Sequence, residues 1–189
     1  MNPDTTAIVI DTPRLALREF AEQDAPFVLR LLNEPSFHEF IGDRGVRTMD
    51  DARRYLREGP MTSYADHGHG LLWMGLKRAG AAPVGIGMCG LVRRPSLPGP
   101  DIGFAVTPSY WGAGYTTEGA AAVLERGREK LEITSVYGIT LPHNTRSIRV
   151  LEKLGLEFVE EKSLDSDAPP VRIFRGSALS RAPEAIRPG

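Results

Sequence analysis

The run Tyr110-Trp111-Gly112-Ala113-Gly114-Tyr115-Thr116-Thr117-Glu118 constrains this chain more than any other stretch. A strand-type run, Asp101 to Val106, precedes it, and a helix-type run from Glu118 to Lys130 follows. Strand, glycine loop and helix start in that order demand a tight backbone turn, which Gly112 and Gly114 allow because no Cβ stands in the way. The first amides of the helix lack internal partners and lie at the positive end of its dipole, so a pyrophosphate can sit there without a lysine. Two familiar phosphate loops are excluded. A P-loop needs a Gly-Lys pair that does not follow these glycines, and the dinucleotide fingerprint needs a third glycine where this chain has Thr117. Two explanations remain: a site for a phosphorylated cofactor, or a glycine turn that only caps a helix.

A second segment bears on that choice. Thirty residues after Gly114 begins Asn144-Thr145-Arg146-Ser147-Ile148-Arg149-Val150-Leu151-Glu152-Lys153-Leu154-Gly155-Leu156. Before it, Val136 to Leu141 is rich in branched and aromatic residues and reads as a strand. The opening Thr12-Pro13-Arg14-Leu15-Ala16-Leu17-Arg18-Glu19-Phe20, followed by Asp24-Ala25, completes the pattern. Together these segments resemble the GNAT superfamily of acyl-CoA-dependent N-acyltransferases. The nearest branch is the one with the ribosomal-protein N-terminal acetyltransferases (RimJ/RimL-like), and the likeness runs from about Ile8 to Arg175. It implies an α/β fold: a GNAT-like mixed, mostly antiparallel sheet with a central parallel splayed strand pair and helices on both faces. The expected domain spans 8–176, between a flexible N-terminus, 1–7, and a flexible tail, 177–189.

The resemblance also implies acetyl-CoA as cosubstrate, with no metal. Its pantetheine arm would enter between strands 101–106 and 135–141, against backbone groups of Phe104 and Val106. Its pyrophosphate would rest on Trp111, Gly112, Ala113, Gly114, Tyr115 and Thr116. Asn144, placed to cap the following helix, would also touch the arm. Phe104 and Val106 can serve as core residues at the same time, because the contacts proposed for them use backbone. The reaction implied is attack of a neutral primary amine on the thioester carbonyl, with a backbone N–H near Val106 facing the developing negative charge. An α-amine, with a pKa of about 8, needs less help from a base than a lysine amine of about 10.4.

The chain departs from the family pattern in two places. Many members carry a tyrosine on the last helix as general acid, where this chain has Leu151; the loop often begins with Gln or Arg, where it has Ser109. Ser147, four residues before Leu151 on the same helical face, is the candidate proton donor or sulfur partner. It is equally a helix-start serine able to bond its own backbone. Asp101 is the candidate base, weighed against a strand-end carboxylate in solvent. His38 and Glu39 fall where the family borders its acceptor pocket. His67 and His69 read as loop histidines rather than a metal pair. A non-catalytic acyl-CoA-binding module of the same fold is the alternative to an enzyme.

Composition sets the outer limits. The 189 residues suit one domain, and the net charge of −1 gives no basic face for nucleic acid. Cys89 is the only cysteine and sits in the apolar run from Val84 to Val92, which points to a small buried hydrophobe. No apolar run approaches a membrane span. The expected partner is therefore an amine acceptor, a protein N-terminus or a small molecule, with no nucleic acid and no membrane. A cytoplasmic monomer or homodimer is expected. Along the chain, alternation predicts one strand over Ile8 to Phe20, a helix after Asp24 and another opened by Thr48. It further predicts a loop at Asp66 to Gly70, and strands at Leu71 to Leu76 and Val84 to Val92. The segment Pro95 to Pro100 is a proline-rich loop.

Overall fold

A computed structural model describes residues 7–164 and 168–177. The eight strands are β1 (Ile8–Asp11), β2 (Leu15–Arg18), β3 (Leu71–Arg78), β4 (Ala81–Val92), β5 (Asp101–Val106), β6 (Ser135–Thr140), β7 (Glu157–Lys162) and β8 (Val171–Ser177). They form one sheet in the order β1-β2-β3-β4-β5-β6-β8-β7. Every neighbouring pair is antiparallel except β5 and β6, which run parallel because α5 (Tyr115–Leu131) connects them. The expected N-terminal and C-terminal segments fall almost wholly outside the described residues.

The single strand expected over Ile8 to Phe20 is instead a hairpin of β1 and β2. Thr12 makes the turn: its N–H donates to the Leu15 C=O at 2.9 Å, and its Oγ1 accepts from the Leu15 N–H at 2.9 Å. Pro13, between them, has no amide to continue a ladder. The remaining helices are α1 (Ala25–Leu32), α2 (Pro35–Phe40), α3 (Met49–Leu56), α4 (Thr62–His67) and α6 (Thr145–Lys153). Thr48 opens α3 with a capping box, its Oγ1 accepting the Asp51 N–H at 3.1 Å. Asp24 does not cap α1 through its side chain. Its carboxylate takes the Ala21 N–H at 2.9 Å and a two-pronged bond from Arg18, at 2.7 and 2.8 Å. The loop expected at Asp66 to Gly70 starts two residues later, because α4 runs to His67 and ends at Gly68 with φ +70°. A wider turn, Arg57–Met61, joins α3 to α4 around Pro60, whose missing amide breaks the regular helical ladder.

Two apolar clusters cover the two faces of the sheet. On one, Leu15, Leu17, Met74, Ile86 and Val106 pack with Ala120 and Val123 of α5 and Leu151 of α6. On the other, Trp73, Met88 and Ala105 pack against Val28, Leu31 and Leu32 of α1 and Ala52 and Leu56 of α3. Helices therefore lie on both faces.

The seam between β5 and β6 is what positions the site. Their ladder holds one paired position, Asp101 with Tyr137, marked by the Tyr137 N–H donating to the Pro100 C=O at 2.9 Å. Past it the strands part. At the other end of β5 the Thr107 N–H donates to the Ile86 C=O of β4 at 2.9 Å. Backbone groups alternate along a strand, so those of Ile102, Phe104 and Val106 face the β6 side. For Phe104 and Val106 that side is a gap.

Candidate active site

The gap opens into a cavity of about 800 Å³ that reaches both faces of the sheet. That size falls within the roughly 300–1,000 Å³ of ligand pockets. Phe104, Val106, Trp111, Gly112, Gly114, Tyr115, Thr116, Asn144, Ser147 and Asp101 all line it. Of the predicted site residues only Ala113 does not, and its C=O is bonded by Arg14 Nη1 at 2.9 Å.

The glycine loop has the conformation its sequence demands. Gly112 and Gly114 sit at φ +79° and +81°, and Gly114 is the N-cap of α5. The first helical bond is the Glu118 N–H donating to the Gly114 C=O at 3.0 Å, so the amides of Tyr115, Thr116 and Thr117 precede the ladder. The β1–β2 turn braces this loop from behind. Glu118 accepts from Thr12 Oγ1 at 2.7 Å, from the Arg14 N–H at 3.0 Å and from Arg14 Nε at 2.6 Å. The Arg14 guanidinium also lies 4.6 Å from the Tyr115 ring centre. Glu118 is held below its ordinary carboxylate value by these bonds, against the opposing effect of burial.

Trp111 joins the loop to the open strand. Its Nε1–H donates to the Val106 C=O at 2.6 Å, and the Arg146 guanidinium lies 4.8 Å from its ring centre. One lone pair of the last β5 carbonyl is therefore occupied, while the Val106 N–H still faces the gap. Arg146, Arg149 and Lys153 give this end of the cavity a cationic wall.

On α6, Asn144 is buried and its Oδ1 accepts the Ser147 N–H at 3.1 Å. The Ser147 hydroxyl makes no bond of its own among the described residues, so it is not spent on the helix start. Leu151 lies under 2% exposed in the core and does not line the cavity.

Asp101, the candidate base, is a buried carboxylate, so the solvated strand end weighed against that role does not describe it. It is 1% exposed, and Arg94 Nε reaches its Oδ1 at 3.0 Å. Burial pushes its pKa above the usual carboxylate value, with Arg94 pulling the other way. It shares a face with Ala105, the face covered by α1 and α3. His38, Glu39 and Phe40 on α2 also line the cavity, and the Phe40 ring centre lies 5.9 Å from that of His143. His67 and His69 lie elsewhere, with His69 Nδ1 3.2 Å from the Leu91 O. Sequence reasoning missed Arg94, Arg44 and Tyr55. The signal for Arg94 lay in the hairpin register: Val92 pairs with Asp101, so a residue two further on can fold back to it.

Residues 14–157 match the family described as Acetyltransferase (GNAT) domain. The chain belongs to that family. As a GNAT protein it is an acyltransferase. YkkB, an uncharacterized protein of Bacillus subtilis, is 27% identical over 173 residues, covering 89% of this chain and 94% of that protein. An acetyltransferase structure from Agrobacterium tumefaciens is similar with a TM-score of 0.73 at 23% identity, over 93% of this chain and 98% of that one. RimL, a ribosomal L7/L12 alpha-N-protein acetyltransferase solved with coenzyme A, has a TM-score of 0.76 at 14% identity, covering 90% and 98%. At those identities the two structures establish the GNAT fold.

Proposed function

We propose that this chain transfers the acetyl group of acetyl-CoA to a primary amine, on a protein N-terminus or a small molecule, by direct attack. The carrying observation is the one-pair ladder between β5 and β6, which leaves Phe104 and Val106 open to a cavity that ends on the α5 amides. The arm of the cosubstrate would bond Phe104 and the Val106 N–H. Its pyrophosphate would meet the Gly112 to Thr116 loop, helped by Arg146 and Arg149. Asn144 would hold the arm from α6.

In the transfer itself, a neutral amine forms the new C–N bond while the C–S bond breaks and coenzyme A leaves as thiol. The Val106 N–H would face the carbonyl oxygen as it gains charge, and the free Ser147 hydroxyl would supply a proton or hydrogen bond to the departing sulfur. Asp101 would accept the proton lost by the amine, directly or through water; its raised pKa makes it a better base than an ordinary carboxylate. Holding both reactants in line contributes about 7 kcal/mol or more in well-oriented systems. The likeness to RimL favours a protein N-terminus as one acceptor class to be tried. Acetyl-CoA turnover against a panel of peptides and small amines tests the proposal. Saturable binding of acetyl-CoA with no turnover on any amine would leave only a cofactor-binding module.

A further inference from the structure

The cavity lining also holds polar and charged groups that the transfer step does not use. Tyr55 on α3, Arg44 between α2 and α3, and Arg94 between β4 and β5 line the cavity from three separate segments. Tyr55 is half-buried; burial pushes its phenol up in pKa, and the charges of Arg44 and Arg94 pull the other way. Arg94 is neutralised by Asp101. Arg44 is different. Its neighbour Asp43 is taken by Arg47 and by the Gly45 N–H, which it accepts at 2.8 Å. Among the described residues no carboxylate pairs with Arg44.

The turn that carries Arg44 is built rather than loose. Gly42 and Gly45 flank it at φ +102° and +68°, conformations that side chains rarely adopt. Behind it, Asn33 Nδ2 donates to the Val46 C=O at 2.9 Å and to the Leu29 C=O at 2.8 Å, tying the turn to α1. On the α2 wall, Glu34 and Glu39 also line the cavity with no ion pair among the described residues. The cavity lining thus holds an unmatched guanidinium whose charge reaches a phenol, and unmatched carboxylates as well. That pairing suits a ligand with both an amine and an anion.

We propose that the acceptor is a primary amine that also bears a carboxylate, which the Arg44 guanidinium and the Tyr55 hydroxyl bind. This rests on the acetyl-transfer reading above. A guanidinium offers two parallel N–H donors to a carboxylate, a geometry that neither an amide nor an ester can match in charge. Two sources supply the chemistry: a free amino acid, or an acidic side chain beside a protein's N-terminal amine. The Glu34 and Glu39 wall attracts the ammonium form of the same molecule before it loses its proton.

The test uses acceptors in matched pairs: amino acids with their amides, and short peptides with Asp or Asn at the second position. The wild-type protein should favour the carboxylate member by roughly tenfold or more in kcat/KM, the scale of a charge-assisted bond. The preference should shrink as salt is raised. Arg44→Gln should bring the ratio close to one, mainly through KM, and Arg44→Lys should restore part of it. Acetyl-CoA binding by calorimetry checks that each variant is folded. Preference among the amino acids alone, or among the peptides alone, identifies the source. Equal use of both members by the wild type, or an undiminished ratio in Arg44→Gln, overturns the inference and leaves the transfer reading standing. Acetylation of no member at all overturns both.

Discussion

At the residue scale, Asp101 combines burial with a single partner, and its two possible roles predict different pH behaviour. Its folded pKa is raised, so its contribution to stability is fully present below the unfolded value and is lost as pH rises through the folded one. Ionising this carboxyl as pH rises is therefore no net support to the fold. Asp101→Asn should melt near the wild type at pH 7, and a loss of activity would then report chemistry. If Asp101 takes the amine proton, that variant should lose activity near neutral pH and recover partly as pH approaches the pKa of the amine. The deficit should be larger for a lysine-like amine than for an α-amine, which holds its proton less tightly. Superimposable pH profiles for both amines would assign Asp101 to the Arg94 pair alone. Ser147 separates in a simpler way. Its backbone is fixed by Asn144 while its hydroxyl bonds nothing among the described residues, so Ser147→Ala should leave α6 intact. Turnover should fall roughly tenfold to a thousandfold with a smaller change in the constant for acetyl-CoA. Wild-type turnover in that variant would end the assignment.

At the element scale, the loop from Trp111 to Thr116 is where sequence and structure agree most closely. Gly114→Val should place a branched side chain at φ +81° and bring its Cβ within 3.5 Å of Arg14 Nη2. The Arg14 bonds to Glu118 and Ala113 brace this loop, so strain there is felt at the α5 amides. Acetyl-CoA affinity, measured by calorimetry, should drop by at least tenfold while the far-ultraviolet dichroism stays that of the folded protein. Unchanged affinity would remove the pyrophosphate from this loop. The loop was legible because its signals are local: two glycines, a strand before and a long helix after. Strands 101–106 and 135–141 and the helix at Thr145 were legible for the same reason. The hairpin at Thr12 was not, because Leu15 and Leu17 alternate as a continuous strand would and the turn rests on a side-chain bond across it. Nor was α2, six residues long and too short for a period to show. The burial of Asp101 depends on Arg94 from another loop, and the exposed cation at Arg44 on Asp43 having chosen Arg47. Such choices among charged partners are made in three dimensions and leave no periodic trace.

At the scale of the whole molecule, the sheet is two blocks joined at a weak seam. Strands β1 to β5 form one antiparallel block, and β6, β8 and β7 form the other. Between them run a single ladder position and the shared apolar cluster of α5 and α6, which includes Val136, Leu151 and Phe174. The free protein should therefore open most readily along this seam, with β6 and α6 exchanging their amide hydrogens faster than β3 and β4. A cosubstrate whose arm bonds the open edge of β5 and also touches Asn144 would bridge the two blocks. Its effect should then be uneven. Acetyl-CoA at about a hundred times its Kd stabilises a folded state by about 2.7 kcal/mol. Here the largest slowing of exchange should fall on β5, β6 and the first turns of α5 and α6. Hydrogen exchange followed by mass spectrometry, with and without acetyl-CoA, reads this directly. Slowing confined to α5 would mean that the ligand holds the glycine loop without entering the gap, and the seam would lose its place as the site of transfer.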